Sequence, residues 1–256
     1  MSEVYLFSNG IRLRRSDITD MQIGRYSALG NPNLHEPVEE EWILRSFERD
    51  RSPGAIFLDV GAGVGYYSFL IKKRWPDVRV LVVEALPRHA EALDANRALN
   101  GFGVEDIQVT RTAVGATAGQ SSFVDRGYGS MLAQGAQGQI VLTVETQTLA
   151  ELLTRLPPVH LMKMDIQGAE LEVLTAARDL LATGPVRHVV IGTHSRSIHR
   201  GVVRLLRRSG FSVALDDPAP AMQPDGLVVA TYGAAPAAPR SWLGRLLGER
   251  SMSSRG

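Results

Sequence analysis

The sequence contains no cysteine in its 256 residues. This absence excludes a disulfide framework, a thiolate metal site and a cysteine nucleophile, and it suits a reducing compartment. The chain also lacks an excess of charge of one sign, since 28 lysines and arginines stand against 27 aspartates and glutamates. Because nothing in this balance requires a polyanionic partner, we expect no nucleic acid.

Long apolar runs are missing as well. No stretch approaches the roughly 18 residues that span a bilayer, and the segment from Met1 to Ser8 has no basic region followed by an apolar run. We therefore expect neither a signal peptide nor a transmembrane segment, and we expect a cytoplasmic location. With 44% hydrophobic residues, the chain can bury one sizeable core, which predicts one domain with appendages.

From Ala55 onward, short β-branched runs alternate with segments of helical period. This alternation predicts βαβ units and an α/β fold with a mostly parallel sheet and helices on both faces. The predicted strands lie at residues 55–60, 78–84, 107–114, 160–165, 187–193, 211–215 and 226–232. The predicted helices that connect them lie at residues 66–74, 87–99, 170–181 and 198–208.

Three segments interrupt or flank this alternation. Residues 1–54 are rich in turn residues and then helical from 37 to 48, which predicts an N-terminal cap over the strand ends of a domain at 55–232. Residues 115–146 predict a hairpin or loop beside the sheet. Residues 233–256 predict a flexible tail that ends in a short basic amphipathic segment.

A predicted strand runs directly into a glycine-rich turn and a helix, a geometry that brings backbone N–H groups to a ligand. The glycines are Gly61, Gly63 and Gly65. Tyr66 stands where the dinucleotide fingerprint G-x-G-x-x-G has its third glycine, which would permit close packing of helix and strand, and this weighs against NAD. Asp59 precedes the turn, where a carboxylate suits an ammonium and a sulfonium better than a pyrophosphate. The pattern favours S-adenosylmethionine.

Glu84 ends the second predicted strand, where a carboxylate can accept two hydrogen bonds from a ribose diol. NAD sites also bind the ribose through a carboxylate at this position. An NAD-dependent oxidoreductase is therefore the second alternative, and a binding module that retains the pocket only for stability is the third.

The substrate is expected at the carboxyl ends of the strands, where open α/β sheets bind ligands. His194 ends the fifth predicted strand and titrates near neutrality, so it is the first candidate for a general base. Asp165 ends the fourth strand and could accept a proton, coordinate a divalent cation or cap a helix. Lys163 lies on the same face of that strand and could orient Asp165 or bind an anionic group.

Weaker candidates lie around this predicted centre. His199 follows His194 by about one helical turn and either lines the same pocket or lies on the surface, and the loop with Glu36 could close over the cofactor. Tyr128 and Ser130 are predicted substrate contacts, with an ordinary turn as the equal alternative. Because no tight His/Asp spacing of a zinc or iron site occurs, we predict no metal.

Taken together, these motifs resemble those of the FkbM family of S-adenosylmethionine-dependent methyltransferases. The resemblance covers about residues 35–230 and is most specific in the run Lys163-Met-Asp-Ile-Gln-Gly-Ala-Glu170. Its other matching parts are residues 57–67 and 83–87, Asn96, Asn100, residues 113–115, Gly129, Ser130, Thr148 and Leu149.

The resemblance implies a Rossmann-like, seven-stranded sheet with a reversed last strand and S-adenosylmethionine as the cofactor. It also implies methyl transfer to oxygen of saccharides or natural products, with N-methylation as a close variant, and it adds Ala85 and Ala113 to the predicted cofactor contacts. Gly63 stands where the family usually has Asn. Gln167, a predicted substrate contact, stands where the family usually has Glu, so an acidic role there cannot be transferred. The expected acceptor is a small molecule or saccharide, and a homodimer is left open.

Overall fold

The structure, a computed structural model, describes residues 3–124, 131–132 and 141–233. Its helices are α1 (Asp20–Tyr26), α2 (Pro37–Asp50), α3 (Tyr66–Arg74), α4 (Pro87–Leu99), α5 (Leu149–Thr154), α6 (Glu170–Ala176), α7 (Arg178–Leu181) and α8 (Arg196–Arg208). Its strands are β1 (Val4–Leu6), β2 (Arg12–Arg14), β3 (Ile56–Val60), β4 (Arg79–Val83), β5 (Ile107–Thr110), β6 (Ala113–Gly115), β7 (Gly119–Val124), β8 (Met131–Leu132), β9 (Val141–Thr148), β10 (Val159–Met164), β11 (Val186–Thr193), β12 (Phe211–Asp217) and β13 (Gly226–Tyr232). Across these described segments, every helix is too short or too polar to cross a membrane.

The central sheet has seven strands in the order β12-β13-β11-β10-β3-β4-β5. Strand β13 runs antiparallel to both of its neighbours, while β11, β10, β3, β4 and β5 pair in parallel. The predicted α/β fold with a reversed last strand is thus confirmed. Its consequence is that the start of β13 lies at the same edge as the carboxyl ends of the parallel strands.

Helices cover both faces of this sheet, because successive side chains of a strand point to opposite faces. In β3, Phe57 packs into a core shared with α2, α3 and α4, whereas Leu58 packs into a second core shared with α5, α6 and α8. All five residues of β3 are buried. Double burial explains why this strand reads as a continuous apolar run rather than an alternation.

The structure differs from the prediction in three places. The strand expected over 107–114 ends at Thr110, and Ala113–Gly115 instead pairs in parallel with β9. The excursion predicted as a hairpin or loop is a four-stranded sheet in the order β6-β9-β7-β8, with β7 antiparallel to β9. The helix expected over 170–181 is divided into α6 and α7 at Ala177. Chain pairing outside the main sheet is not encoded in local periodicity, so these departures were not visible in the sequence.

The N-terminal segment packs into the core on one face of the sheet. Strands β1 and β2 form an antiparallel hairpin, and Phe7 and Tyr26 enter the same core as Tyr66 of α3. Asn9 donates a hydrogen bond from Nδ2 to the Tyr66 hydroxyl at 2.7 Å. These contacts hold α1 above the carboxyl edge of the sheet. The predicted C-terminal segment at 234–256 lies outside the described residues.

Candidate functional site

The turn between β3 and α3 is built on three glycines with positive φ, at +78° for Gly61, +57° for Gly63 and +92° for Gly65. A Cβ atom on Gly61 would lie 2.0 Å from the carbonyl oxygen of Asp165, and one on Gly65 would lie 2.5 Å from the Phe69 ring. The Asp165 backbone and the Phe69 ring therefore leave no room for a side chain at Gly61 and Gly65. The N–H groups of the three glycines are bonded within the protein, to Val83 O, Glu84 Oε2 and Ala62 O. The turn brings the open side of Gly63 and the start of α3 to the carboxyl edge of the sheet.

Glu84 closes the next strand and holds this turn in place. Its Oε2 accepts a hydrogen bond from the Gly63 N–H at 2.8 Å, and its Oε1 accepts one from the Leu86 N–H at 2.9 Å. His89 Nδ1 lies 3.5 Å from the same Oε1. The carboxylate is thus fixed at the edge of a cavity that lies above the turn.

This cavity has a volume of about 370 Å³, within the roughly 300–1,000 Å³ typical of small-molecule sites. Most of the predicted cofactor residues line it, namely Glu36, Gly61, Gly63, Tyr66, Glu84, Ala85 and Ala113. Gly65 does not line it, because it lies at the start of α3 against Phe69. The cavity therefore gathers residues from four separate parts of the chain at one sheet edge.

Asp59 also does not line the cavity, contrary to the expected position facing the ligand. It is only 1% exposed and accepts a hydrogen bond from Ser68 Oγ at 2.7 Å. Burial raises the pKa of Asp59, against the lowering effect of Lys163. The aspartate lies under the glycine turn and links β3 to α3.

Lys163 lines the cavity and is the centre of a buried charge cluster. Its Nζ lies 3.7 Å from Glu39 Oε1 and 3.7 Å from Asp165 Oδ2, and 5.1 Å from the centre of the Tyr67 ring. Burial by itself lowers the pKa of Lys163, but Glu39 and Asp165 outweigh that effect and raise it. The lysine is therefore a permanent cation beneath the cavity wall.

His194 lies behind Asp165 and does not line the cavity. Its Nδ1 lies 2.9 Å from Glu170 Oε1, and its Nε2 lies 3.3 Å from Asp165 Oδ1 and 3.6 Å from Asp225 Oδ1. Burial lowers the pKa of His194, but the bond to Glu170 and the charge of Asp165 outweigh it and raise the pKa to about 9. At neutral pH the imidazole is a cation held among three carboxylates.

Asp165 is the carboxylate that this arrangement presents to the cavity. Burial raises its pKa, but Lys163 and His194 outweigh that effect and lower it below the usual value. Gln167, which also lines the cavity, donates a hydrogen bond from Nε2 to Asp165 Oδ1 at 3.1 Å. The helix-capping alternative for Asp165 is not observed, since Glu170 Oε1 accepts the N–H groups of Ile166 and Gly168. Asp165 is an ionised hydrogen-bond acceptor at the site.

His199 is not part of this site. It is 2% exposed, does not line the cavity and bonds to Thr193 Oγ1 at 2.8 Å and to Asp216 Oδ1 at 3.0 Å. These bonds join α8 to β11 and β12. Tyr128 and Ser130, the predicted substrate contacts of the excursion, lie outside the described residues.

Two groups of potential metal ligands form in the described part of the chain, although the sequence predicted none. The first is Asp165, Glu170 and His194, and the second is Asp50, His160 and His188. In the first, protonated His194 itself supplies the positive charge between the carboxylates. The second lies at the opposite edge of the sheet, where His188 Nε2 is 2.8 Å from Asp50 Oδ1 and ties α2 to β11. Hydrogen bonds and ion pairs link the members of both groups.

Several cavity residues were missed in the sequence. Asp225 lines the cavity from the loop before β13, and burial raises its pKa to about 6. A reversed last strand starts at the carboxyl edge of its neighbours, so this residue was accessible to prediction. His35 lines the cavity from the loop with Glu36 that was expected to close over the cofactor. Arg25 and Tyr26 of α1 also line the cavity, and no spacing or motif relates these two residues to the glycine turn, so no sequence signal could have found them.

Comparisons with known proteins agree with this geometry. A family model for the methyltransferase FkbM domain matches residues 59–213. Methyltransferase sdnD of Sordaria araneosa is 26% identical over 193 residues, which cover 62% of this chain and 74% of that protein. Methyltransferase 1 of Beauveria bassiana is 24% identical over 222 residues, or 75% of this chain and 88% of that protein.

Two solved structures share the fold. The crystal structure of methyltransferase FkbM from Methylobacillus flagellatus KT matches with a TM-score of 0.54 at 17% identity, over 75% of this chain. The match covers 47% of that protein, so the present chain spans about half of its length. The METTL16 methyltransferase domain matches with a TM-score of 0.53 at 12% identity, over 90% of this chain and 86% of that one.

Proposed function

The chain belongs to the FkbM family of methyltransferases, and from that premise we propose that it methylates a hydroxyl oxygen of a saccharide or natural product. Its cofactor is S-adenosylmethionine, and the family match sets aside the NAD-dependent alternative. The observation that carries the proposal is the ionised carboxylate of Asp165 in the cavity wall, backed by two cations.

The cavity residues fit this cofactor. Gly63 leaves open space beside the turn, because a Cβ atom there would meet nothing within 4 Å. Glu84 lines the cavity at the end of β4, where it can accept hydrogen bonds from a ribose diol. Bound S-adenosylmethionine supplies an electrophilic methyl group on a positively charged sulfur. The protein's own contribution is to hold the acceptor in line and to remove its proton, and positioning of this kind can supply several kcal/mol.

Asp165 is suited to a neutral hydroxyl. It can accept a hydrogen bond from the hydroxyl and so direct an oxygen lone pair toward the methyl group. As the carbon–oxygen bond forms, that oxygen becomes positively charged and its proton strongly acidic, so even a carboxylate of low pKa can accept it. Lys163 and His194 keep Asp165 ionised in spite of its burial. In this proposal His194 is a positioning residue rather than the base.

Isotope labelling tests the proposal directly. Cells with and without the gene are grown on methionine that carries a deuterated methyl group, and their metabolites and glycans are compared by mass spectrometry. We expect a product heavier by one labelled methyl group, attached to oxygen. A label on nitrogen or carbon would contradict the hydroxyl assignment, and no labelled difference would leave the acceptor class unsupported.

The role of Asp165 has its own test. Asp165→Asn should lower turnover by about a hundredfold to ten-thousandfold, the usual contribution of a general base, while cofactor affinity changes little. Asp179→Asn is the matched control, because the Asp179 side chain is 90% exposed and pairs with Arg178 on the surface. Full activity of Asp165→Asn would remove this residue from the chemistry.

The cytoplasmic location remains a prediction from composition.

A further inference from the structure

Arg25 is a cation of the cavity wall without an anionic partner. It lies in the last turn of α1 and lines the cavity. Its Nε is buried and has no hydrogen-bond partner, and within the described part of the chain its guanidinium takes part in no ion pair within 4.0 Å. A guanidinium is always charged and has five donors, and an unsatisfied buried donor is unfavourable. The Arg25 guanidinium is therefore available to bind a group of a ligand in the cavity.

The other basic side chains of the described cavity wall already have partners, and for His89 this partner is Glu84, whose Oε1 lies 3.5 Å from His89 Nδ1. Lys163 lies between Glu39 and Asp165, and burial lowers the pKa of His35, whose Nδ1 bonds to the Tyr26 hydroxyl at 2.7 Å. An anionic group of a ligand in this cavity would thus find its strongest free partner in Arg25.

Asp225 lines the same cavity as Arg25 and indicates the kind of ligand group. Arg25 is close enough to lower the pKa of Asp225, although burial raises that pKa more strongly. No ion pair within 4.0 Å joins the two residues in the described structure. Asp225 has one ion pair in the described structure, at 3.6 Å to His194 Nε2, and lines the same cavity as the unpaired Arg25. A cation and a carboxylate in one cavity wall match a zwitterion that carries a carboxylate and an ammonium group on one carbon atom.

We propose that Arg25 binds the carboxylate of the methionine part of S-adenosylmethionine, with Asp225 beside it for the ammonium group. This inference rests on the cofactor and is independent of whether the methyl acceptor is a hydroxyl. It assigns the N-terminal helix α1 a direct function in cofactor binding. An acidic acceptor molecule offers the same carboxylate chemistry, and the experiment separates the two sources.

Two cofactor analogues provide the test. S-adenosylhomocysteine carries the amino-acid group, whereas 5′-methylthioadenosine has the same nucleoside and thioether without it. Isothermal titration of the full chain should show that Arg25→Met weakens the binding of S-adenosylhomocysteine about tenfold to a hundredfold, as expected for lost charge-assisted hydrogen bonds. The affinity for 5′-methylthioadenosine should stay within about twofold.

Arg12→Met is the matched control, since Arg12 lies in the same N-terminal segment but is exposed and does not line the cavity. It should leave both affinities unchanged. Retained S-adenosylhomocysteine affinity in Arg25→Met would overturn the proposal and favour an acidic acceptor as the partner. Equal loss for both analogues would also overturn it, because it would indicate a disturbed cavity. If wild-type protein bound neither analogue, the cofactor assignment itself would fail, and the proposal with it.

Discussion

Glu84 supports the glycine turn and, in our proposal, also binds the ribose of the cofactor. Its oxygens accept hydrogen bonds from Gly63 and Leu86 while the side chain lines the cavity. Glu84→Ala should weaken S-adenosylhomocysteine binding about tenfold to a hundredfold, because each charge-assisted bond contributes about 1.5–3 kcal/mol. Glu84→Gln should lose less of this affinity, since the amide oxygen remains a hydrogen-bond acceptor. Isothermal titration measures both.

Glu91→Ala is the control for this pair, because Glu91 is exposed on α4, the helix that follows Glu84, and does not line the cavity. An unchanged dissociation constant for Glu84→Ala would show that Glu84 supports only the glycine turn.

His194 gives a pH dependence with a defined sign. Its pKa is about 9 in the folded protein against about 6.5 in an unfolded chain. The folded state therefore binds the proton more tightly, so the stabilisation is fully present below pH 6.5 and is lost as the pH rises through 9. His194→Gln should remove this dependence, which amounts to at most about 3 kcal/mol.

Urea unfolding of both proteins between pH 6 and 10 checks this expectation. Lysines and tyrosines titrate alike in both, so the difference between the two curves isolates His194. If the free energy of unfolding changed with pH in the same way for both proteins, the protonated, ion-paired state of His194 would be contradicted.

At the scale of secondary structure, α4 holds the N-terminal hairpin through two asparagine side chains. Asn96 accepts the Arg14 N–H at 2.8 Å and donates to Asp17 Oδ2 at 3.0 Å. Asn100 accepts the Arg12 N–H at 3.0 Å and donates to the Arg12 carbonyl at 2.7 Å. Side chains of one helix thus replace the strand partner that β2 lacks on this edge.

Asn96→Ala should lower the free energy of unfolding by about 1–3 kcal/mol, because Asn96 is fully buried and its partners would be left unsatisfied. Asn96→Ala should also weaken the binding of S-adenosylhomocysteine, since α1 would be less firmly held over the cavity. Asn100→Ala is the partner control and should have a smaller effect, because Asn100 is half-buried and water can replace its bonds. Chemical unfolding and titration measure the two effects. Equal, small changes would show that the hairpin is held by its apolar contacts alone.

For the whole molecule, cofactor binding should stabilise the fold as a unit. The cavity wall combines the N-terminal segment, the turn after β3, the end of β10 and the loop before β13. S-adenosylhomocysteine at a hundred times its dissociation constant should add about 2.7 kcal/mol, which raises Tm by about 5–11 °C for a domain of this size. NAD should give no shift.

Differential scanning calorimetry with each ligand makes this comparison. A shift with NAD and none with S-adenosylhomocysteine would contradict the cofactor assignment.

The sequence alone determined the α/β fold, the glycine turn and the position of Glu84. Each depends on a pattern within a short stretch of chain: apolar runs make buried strands, positive φ requires glycine, and a strand end places its carboxylate at the sheet edge. The run from Lys163 to Glu170 identified the family for the same reason, because its residues are consecutive.

Only the tertiary structure decided which residues face the cavity and which are charged. His194 is 24 positions from Glu170 in sequence, yet their side chains bond at 2.9 Å and that bond helps to make the imidazole a cation. Arg25 and Asp225 lie at opposite ends of the described chain and meet at one cavity. Charge interactions depend on distance in space and on burial, and neither quantity can be obtained from spacing along the chain.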